Sequence, residues 1–342
     1  MQKKFFLTLL FSSFSLFGIE CFGGCEPEPE CECPLFNTDC AIILDTEFLY
    51  WTTEINTVDY AIKNSNPNPD QSGSRCAIGK YKIADYNLDP AFRIGLRYYH
   101  AHKYWEVSGQ YTRFYNCGSN TTTVNPANEV LLSTFYLEAK DPLISADSSI
   151  TLHYQLADFL AARVWDPNPH LRIRTQLGIT GAWISQSWGL DYTTQNMNRD
   201  TVSTKWSFEG GGLRLGSTVD WFWFCNTYLT GKVSVALLAG TYRNDIEQKS
   251  TKVNEQDLPI DAKYKDTRLA YHVQFLLGPS MQWPGPCWDF EIFAGYELNA
   301  WFNLHEVRRC DPLQITNACP QPLFATGLLG IQGLTVRLTI GY

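Results

Sequence analysis

The stretch Gly333–Tyr342, GLTVRLTIGY, reads as one strand with two unlike faces. Leu334, Val336, Leu338 and Ile340 share one parity, and Gly333, Thr335, Arg337, Thr339 and Gly341 share the other. Successive side chains of a strand point to opposite faces, so this order sets an apolar face against a polar, charged one. A soluble sheet wetted on one side shows the same alternation. Repetition along the chain therefore decides what kind of β structure this is.

The pattern recurs. In FRIGLRYY, Phe92, Ile94, Leu96 and Tyr98 oppose Arg93, Gly95 and Arg97. In LRIRTQLGIT, Leu171, Ile173, Leu177 and Ile179 oppose Arg172, Arg174, Gln176 and Gly178. RLAYHVQFL and WDFEIFAGYEL repeat it, with Arg268, His272 and Gln274 on one polar face and Asp289, Glu291 and Glu297 on the other. A helix would scatter these charges around its circumference; period two sustained this far argues strands. The chain of 342 residues is 14% aromatic and 18% charged, with a mean hydropathy of -0.21. Many aromatics without overall greasiness suits alternating strands better than membrane helices.

The opening MQKKFFLTLLFSSFSLFGIECFGG has a basic start at Lys3 and Lys4, an apolar run from Phe5 to Phe17 and small residues at Gly23 and Gly24. That is the layout of a secretory signal peptide over residues 1–23, and it places the remainder in an exported compartment. Lipidation of Cys25 is the weaker alternative, because the position three before it is Phe22 rather than an aliphatic residue. Removing two lysines and one glutamate takes the formal charge from -8 to -9. So acidic a chain is a poor partner for nucleic acid, whose phosphates need a basic surface. After the signal no run reaches the ~18 apolar residues of a spanning helix. The nearest, Val219 to Gly240, is broken by Asp220, Asn226 and Lys232. A membrane-spanning reading then requires a closed barrel, in which every backbone group is satisfied between strands.

Polar stretches at 63–74, 116–128, 193–204 and 244–257 read as long loops, whereas DPNP (Asp166 to Pro169) and WPGPC (Trp283 to Cys287) read as tight turns. Long loops on one side and short turns on the other are the asymmetry of an outer-membrane barrel. Tyr50 with Trp51, Tyr104 with Trp105, Trp183, Trp188, Trp221, Trp223, Trp301 and Tyr342 sit towards the ends of the runs, as interfacial girdles would. Any one of these rings alone would equally suit core packing. The expected fold is all-β: a transmembrane antiparallel up-and-down barrel of about twelve strands, with roughly ten to sixteen acceptable. It occupies residues 44–342, after an acidic Cys-rich periplasmic leader at 24–43. Tyr342 then ends the last strand at the periplasmic rim as a signal for the barrel-assembly machinery.

EFLYWTTEINTVDYAI (Glu47 to Ile62) resembles the first strand of the Legionella-type major outer membrane protein family, porin-like barrels also found in chlamydia-like bacteria. FRIGLRYYHAHKYWEVSGQYTRF resembles the next hairpin, with Phe92, Gly95, Trp105, Tyr111 and Thr112 on the family pattern. LGITGAWI, AGYELNAWFN and LGIQGLTVRL match further along, so the likeness covers nearly the whole mature chain. Family members usually end in Phe where this chain has Tyr342, and this chain is richer in cysteine. The resemblance implies an outer-membrane porin for small hydrophilic solutes that also contributes to envelope structure, with no catalytic residue and no cofactor. One alternative is a disulfide-linked structural or adhesin barrel without an open pore. A second is an outer-membrane hydrolase, for which the chain offers no G-x-S-x-G and only His153, placed inward by parity.

Strand parity places Arg93, Arg97, Arg172, Arg174, Arg214, Lys232, Arg268 and Arg337 inward with Glu106, Asp220, Asp289, Glu291 and Glu297. Eight cations against five acids make a mildly basic lumen that favours anions, unless the charges pair across the barrel and cancel. Ten cysteines follow the signal, and in an oxidising compartment they read as disulfides. Cys25, Cys31, Cys33 and Cys40 belong to the leader, Cys310 and Cys319 bracket one loop, and an unpaired one would bridge to a neighbouring envelope protein or a second copy. No metal site is expected: Cys31-x-Cys33 lacks finger spacing, and His100 with His102 supply two ligands at a strand end. Gly210, Gly211 and Gly212 read as a bend or bulge, not a phosphate loop.

Overall fold

The computed structural model describes residues 40–64, 79–100, 104–135, 142–224, 226–251, 260–283, 288–310 and 322–342. Thirteen strands are formed by these residues: β1 Cys40–Ile55, β2 Asp59–Asn64, β3 Lys80–Ile83, β4 Asp89–His100, β5 Trp105–Thr123, β6 Val130–Ser133, β7 Leu143–Asn168, β8 Leu171–Thr194, β9 Arg199–Phe224, β10 Thr227–Thr251, β11 Ile260–Trp283, β12 Asp289–Cys310 and β13 Pro322–Gly341. Ten of them close a ring in the order β1, β4, β5, β7, β8, β9, β10, β11, β12, β13, every neighbour antiparallel. The seam is the pairing of β1 with β13, from Ile43 opposite Gly341 to Ile55 opposite Leu329. The short strands β2, β3 and β6 form a side ladder attached to β7. The barrel is thus all-β and up-and-down as expected, and its ring stands at the low end of the expected strand range because three strands belong to connections. Pairing begins at Cys40, four residues before the boundary drawn at 44, since Cys40 lies opposite His100. The signal and the rest of the leader lie outside the described residues.

The connections differ from their reading as loops. β5, β8, β9 and β10 run on through Thr123, Thr194, from Arg199 and to Thr251, so much of each polar stretch continues a strand. These rows carry polar residues on their outer face, such as Lys205, Lys263 and Lys265, because they stand beyond the apolar band. The Asn168–Leu171 turn is tight as expected, and Cys287 with the residues before it lies outside the described positions.

The outward apolar residues are those that parity assigned. Phe92, Ile94, Leu96, Tyr98, Leu177, Ile179, Leu334 and Leu338 are all exposed. On β5 the outward face runs from Trp105 to Tyr115, apolar except for Arg113 next to its upper edge. At about 3.3 Å per residue and a tilt of about 40°, it is about 25 Å tall, the height of a membrane-facing belt. Seven of the 11 tryptophans face outward. Trp105, Trp165, Trp221, Trp223, Trp283 and Trp288 gather at the end that holds Tyr342, and Trp183 lies with Tyr115 and Tyr271 near the other. Trp51, Trp188 and Trp301, expected in the girdles, are buried inside with Trp206. Gly210, Gly211 and Gly212 form no bulge; their ladders on both sides keep register. Gly212 is there for close approach, since a Cβ on it would lie 1.8 Å from the Leu237 carbonyl oxygen.

Candidate functional site in the filled lumen

Inward side chains come from alternate positions of every ring strand, and their chemistry changes with height. Nearest the end that holds Tyr342, Arg97 Nε and Nη2 donate to Asp45 at 2.5 and 2.8 Å, and its Nη1 stands 3.8 Å from Glu106. Arg337 donates to Glu291 at 2.8 Å, Arg174 to Asp220 at 2.6 Å and Arg172 to Asp166 at 2.9 Å. Asp289 sits at this mouth, opposite Gly341 and part-buried.

One step deeper, Arg93 joins three strands. Its Nη1 donates to Glu47 at 2.6 Å, its Nη2 to Glu297 at 2.8 Å and its Nε to Thr112 at 2.8 Å. Glu297 also accepts from Gln274 at 2.6 Å and Thr335 at 2.8 Å. Above it, Arg214 Nε lies 3.1 Å from Asp158, an ion pair without a well-aimed hydrogen bond. Gln110 donates to that carboxylate at 2.7 Å. Higher still, Arg268 donates to Asp266 and Glu306 and lies 3.6 Å over the Tyr242 ring.

Between the Arg214 and Arg268 levels the lumen turns apolar. One buried cluster draws on all ten ring strands: Trp51, Ala91, Phe114, Tyr154, Ile184, Phe208, Leu238, Ala270, Trp301 and Ile331. Trp51 meets Phe114 edge-on at 5.7 Å, Tyr154 meets Trp301 at 6.1 Å, and His272 stacks on Trp301 at 4.3 Å. A ring of this size lies close to the limit at which side chains fill a barrel without leaving a channel. Below the apolar layer a cavity of about 70 Å³ remains, bordered by Arg93, Arg97, Arg174, Lys232 and Arg337 together with Asp45, Glu47 and Glu106.

Arg93, Arg97, Glu106, Arg172, Arg174, Arg214, Lys232, Arg268, Asp289, Glu291 and Arg337, read from sequence as pore-lining, lie buried or part-buried on the ring strands. The mildly basic lumen is corrected. All seven arginines meet carboxylates, among them Asp45, Glu47, Asp158, Asp266 and Glu306, which the charge count omitted. The alternation Leu44, Phe48, Tyr50 against Asp45 and Glu47 was the signal for two of them. His153 is corrected as well. It is exposed on the outer face, 4.8 Å from the Tyr115 ring, because its neighbours Leu152 and Tyr154 fill the apolar lumen at that height. Of the cysteines assigned to disulfides, Cys25, Cys31, Cys33 and Cys319 lie outside the described residues, as do the side chains of Cys40 and Cys310. Cys117 carries a free thiol, so the set of ten is not wholly paired within the chain. Tyr342 is exposed, packs against Trp288 at 4.9 Å and closes the seam through two backbone hydrogen bonds with Ile42.

A family model described as the Legionella pneumophila major outer membrane protein precursor matches residues 37–338. The chain belongs to this major outer membrane protein family. Its place is therefore the bacterial outer membrane, which agrees with the belt and girdles of this member of the family. No curated protein matches the chain. Among solved structures it is similar to the outer membrane protease OmpT from Escherichia coli, at 9% identity over 88% of this chain and 96% of that one, with a TM-score of 0.40. It is also similar to the Pseudomonas putida toluene transporter TodX, at 9% identity over 92% of each chain, with a TM-score of 0.32. Likeness this slight carries nothing about function; the closed ring of strands establishes the fold by itself.

Proposed function

We propose that this family member is a structural outer-membrane barrel, closed at rest by its own side chains, that displays its long strands and loops at the cell surface. The observation that carries this reading is the apolar layer: Trp51, Phe114, Tyr154 and Trp301 are each at most 1% exposed and belong to a cluster fed by every wall. Ions do not cross a dry apolar layer without losing hydration that nothing there replaces. The reading requires no catalysis and no cofactor. Lipid covers the belt, Tyr342 is offered to the barrel-assembly machinery, and leader cysteines tie the barrel to envelope neighbours or to another copy. Recording from single barrels in a planar bilayer tests it: no current steps are expected, and steady ohmic steps from the parent protein would overturn it.

A porin for small hydrophilic solutes is the second reading, favoured by the charged cavity at membrane level. It requires the Trp51 and Trp301 rings to move aside. Current in the Trp51→Ala/Trp301→Ala variant alone would make those rings the barrier, whereas current in the parent protein would favour the porin.

A further inference from the structure

We propose that the membrane-level cavity is a binding site for a small inorganic anion, chloride or phosphate, held by Lys232. Of the eight inward cations named above, Lys232 has no carboxylate within ion-pair distance among the described residues, and it borders the cavity. Two arginines that border the same cavity from opposite sides of the ring, Arg174 on β8 and Arg337 on β13, leave a donor over. Arg174 and Arg337 each give an Nη hydrogen to Asp220 and Glu291, and the Nε of each is buried without an acceptor.

The neighbouring carboxylates are already engaged. Asp45, Glu47, Asp220, Glu291 and Glu297 accept hydrogen bonds from arginines, and Glu106, the remaining one, stands against Arg97. These six carboxylates outnumber the four arginines they face and Lys232 together by one, so binding is expected to be weak, in the millimolar range. What stays unsatisfied on the lining is three donors, Arg174 Nε, Arg337 Nε and Gln176 Nε2, and one acceptor, Glu106 Oε2, and buried donors without acceptors are costly to leave so. Water supplies acceptors too, but an anion satisfies several donors at once through stronger, charge-assisted bonds. A volume of about 70 Å³ is several times the ~10–15 Å³ that one water requires, which leaves room for a hydrated chloride or a single phosphate. On the side of the end that holds Tyr342, a smaller cavity of about 10 Å³ bordered by Thr339 and Phe222 shares Arg97 and Arg174 with the larger one. The site does not depend on conduction, because an anion entering from that end need not cross the apolar layer.

Chlorine-35 NMR line broadening on the full-length barrel in uncharged detergent tests this, with inorganic phosphate as competitor. The parent protein is expected to broaden the chloride line saturably and phosphate to reverse it. Lys232→Met and Lys232→Gln should weaken binding by about tenfold or more, the usual worth of one charge-assisted bond. Lys232→Arg should retain it, and Lys263→Gln, on the outer face, should match the parent. Folding of each variant is checked by heat-modifiable migration. No saturable broadening in the parent, or equal broadening in folded Lys232→Met, would overturn the site.

Discussion

Arg93 on β4 holds Glu297 on β12 at two points, 2.8 and 3.2 Å, across the width of the two strands β1 and β13 that close the ring. The contact ties the seam from inside, where backbone pairing ties it within the wall. Breaking a buried pair of this kind strands a charge, at a cost of about 3–5 kcal/mol. Glu297→Gln should lower stability by that order in urea unfolding from liposomes. Arg93→Met/Glu297→Gln should lose less than the sum of the single variants; strict additivity would show the pair uncoupled.

The lipid face can be probed on the strand that opened the sequence reading. Leu338 points outward within the belt, whereas Thr267 points outward above it. Leu338→Arg should cost about 2–4 kcal/mol and impair heat-modifiable migration, while Thr267→Arg should stay within about 0.5 kcal/mol of the parent. Thr339 is unsuited to the comparison because its hydroxyl donates to Asp45 at 2.7 Å and its side chain is buried. Equal losses for Leu338→Arg and Thr267→Arg would place the belt wrongly.

Glycine spacing gives a sharper test. A Cβ at Gly212 collides with the backbone of β10, whereas one at Gly109 meets nothing within 4 Å. Gly212→Ala should prevent the barrel from reaching its heat-resistant form, and Gly109→Ala should migrate as the parent does. Normal assembly of Gly212→Ala would mean that β9 and β10 are further apart than described.

Orientation is open to a chemical probe. Cys117 follows Tyr115 on β5, at the end away from Tyr342, and its thiol is free. That end carries the longer connections and so faces outward from the cell. A membrane-impermeant maleimide applied to intact cells should modify Cys117, located by peptide mass mapping, and Cys117→Ser should lose the adduct. Modification only after the cells are opened would invert the barrel.

The sequence alone determined the strands and their outer face, because parity is local: Leu334 to Ile340, Phe92 to Tyr98 and Leu171 to Ile179 announce which side meets lipid without reference to any other strand. It also placed Arg93, Arg97 and Arg337 inward. Their partners were decided by the tertiary structure, since strand register sets which residues reach the same height in the lumen. Register brings Glu47 opposite Arg93 and carries Glu297 to it from β12. The fate of Trp51, Trp301 and His153 was decided in the same way. Sequence position near a strand end suits a girdle or a plug equally, and only ring closure shows that the lumen at their height is apolar, drawing the tryptophans in and leaving the histidine outside.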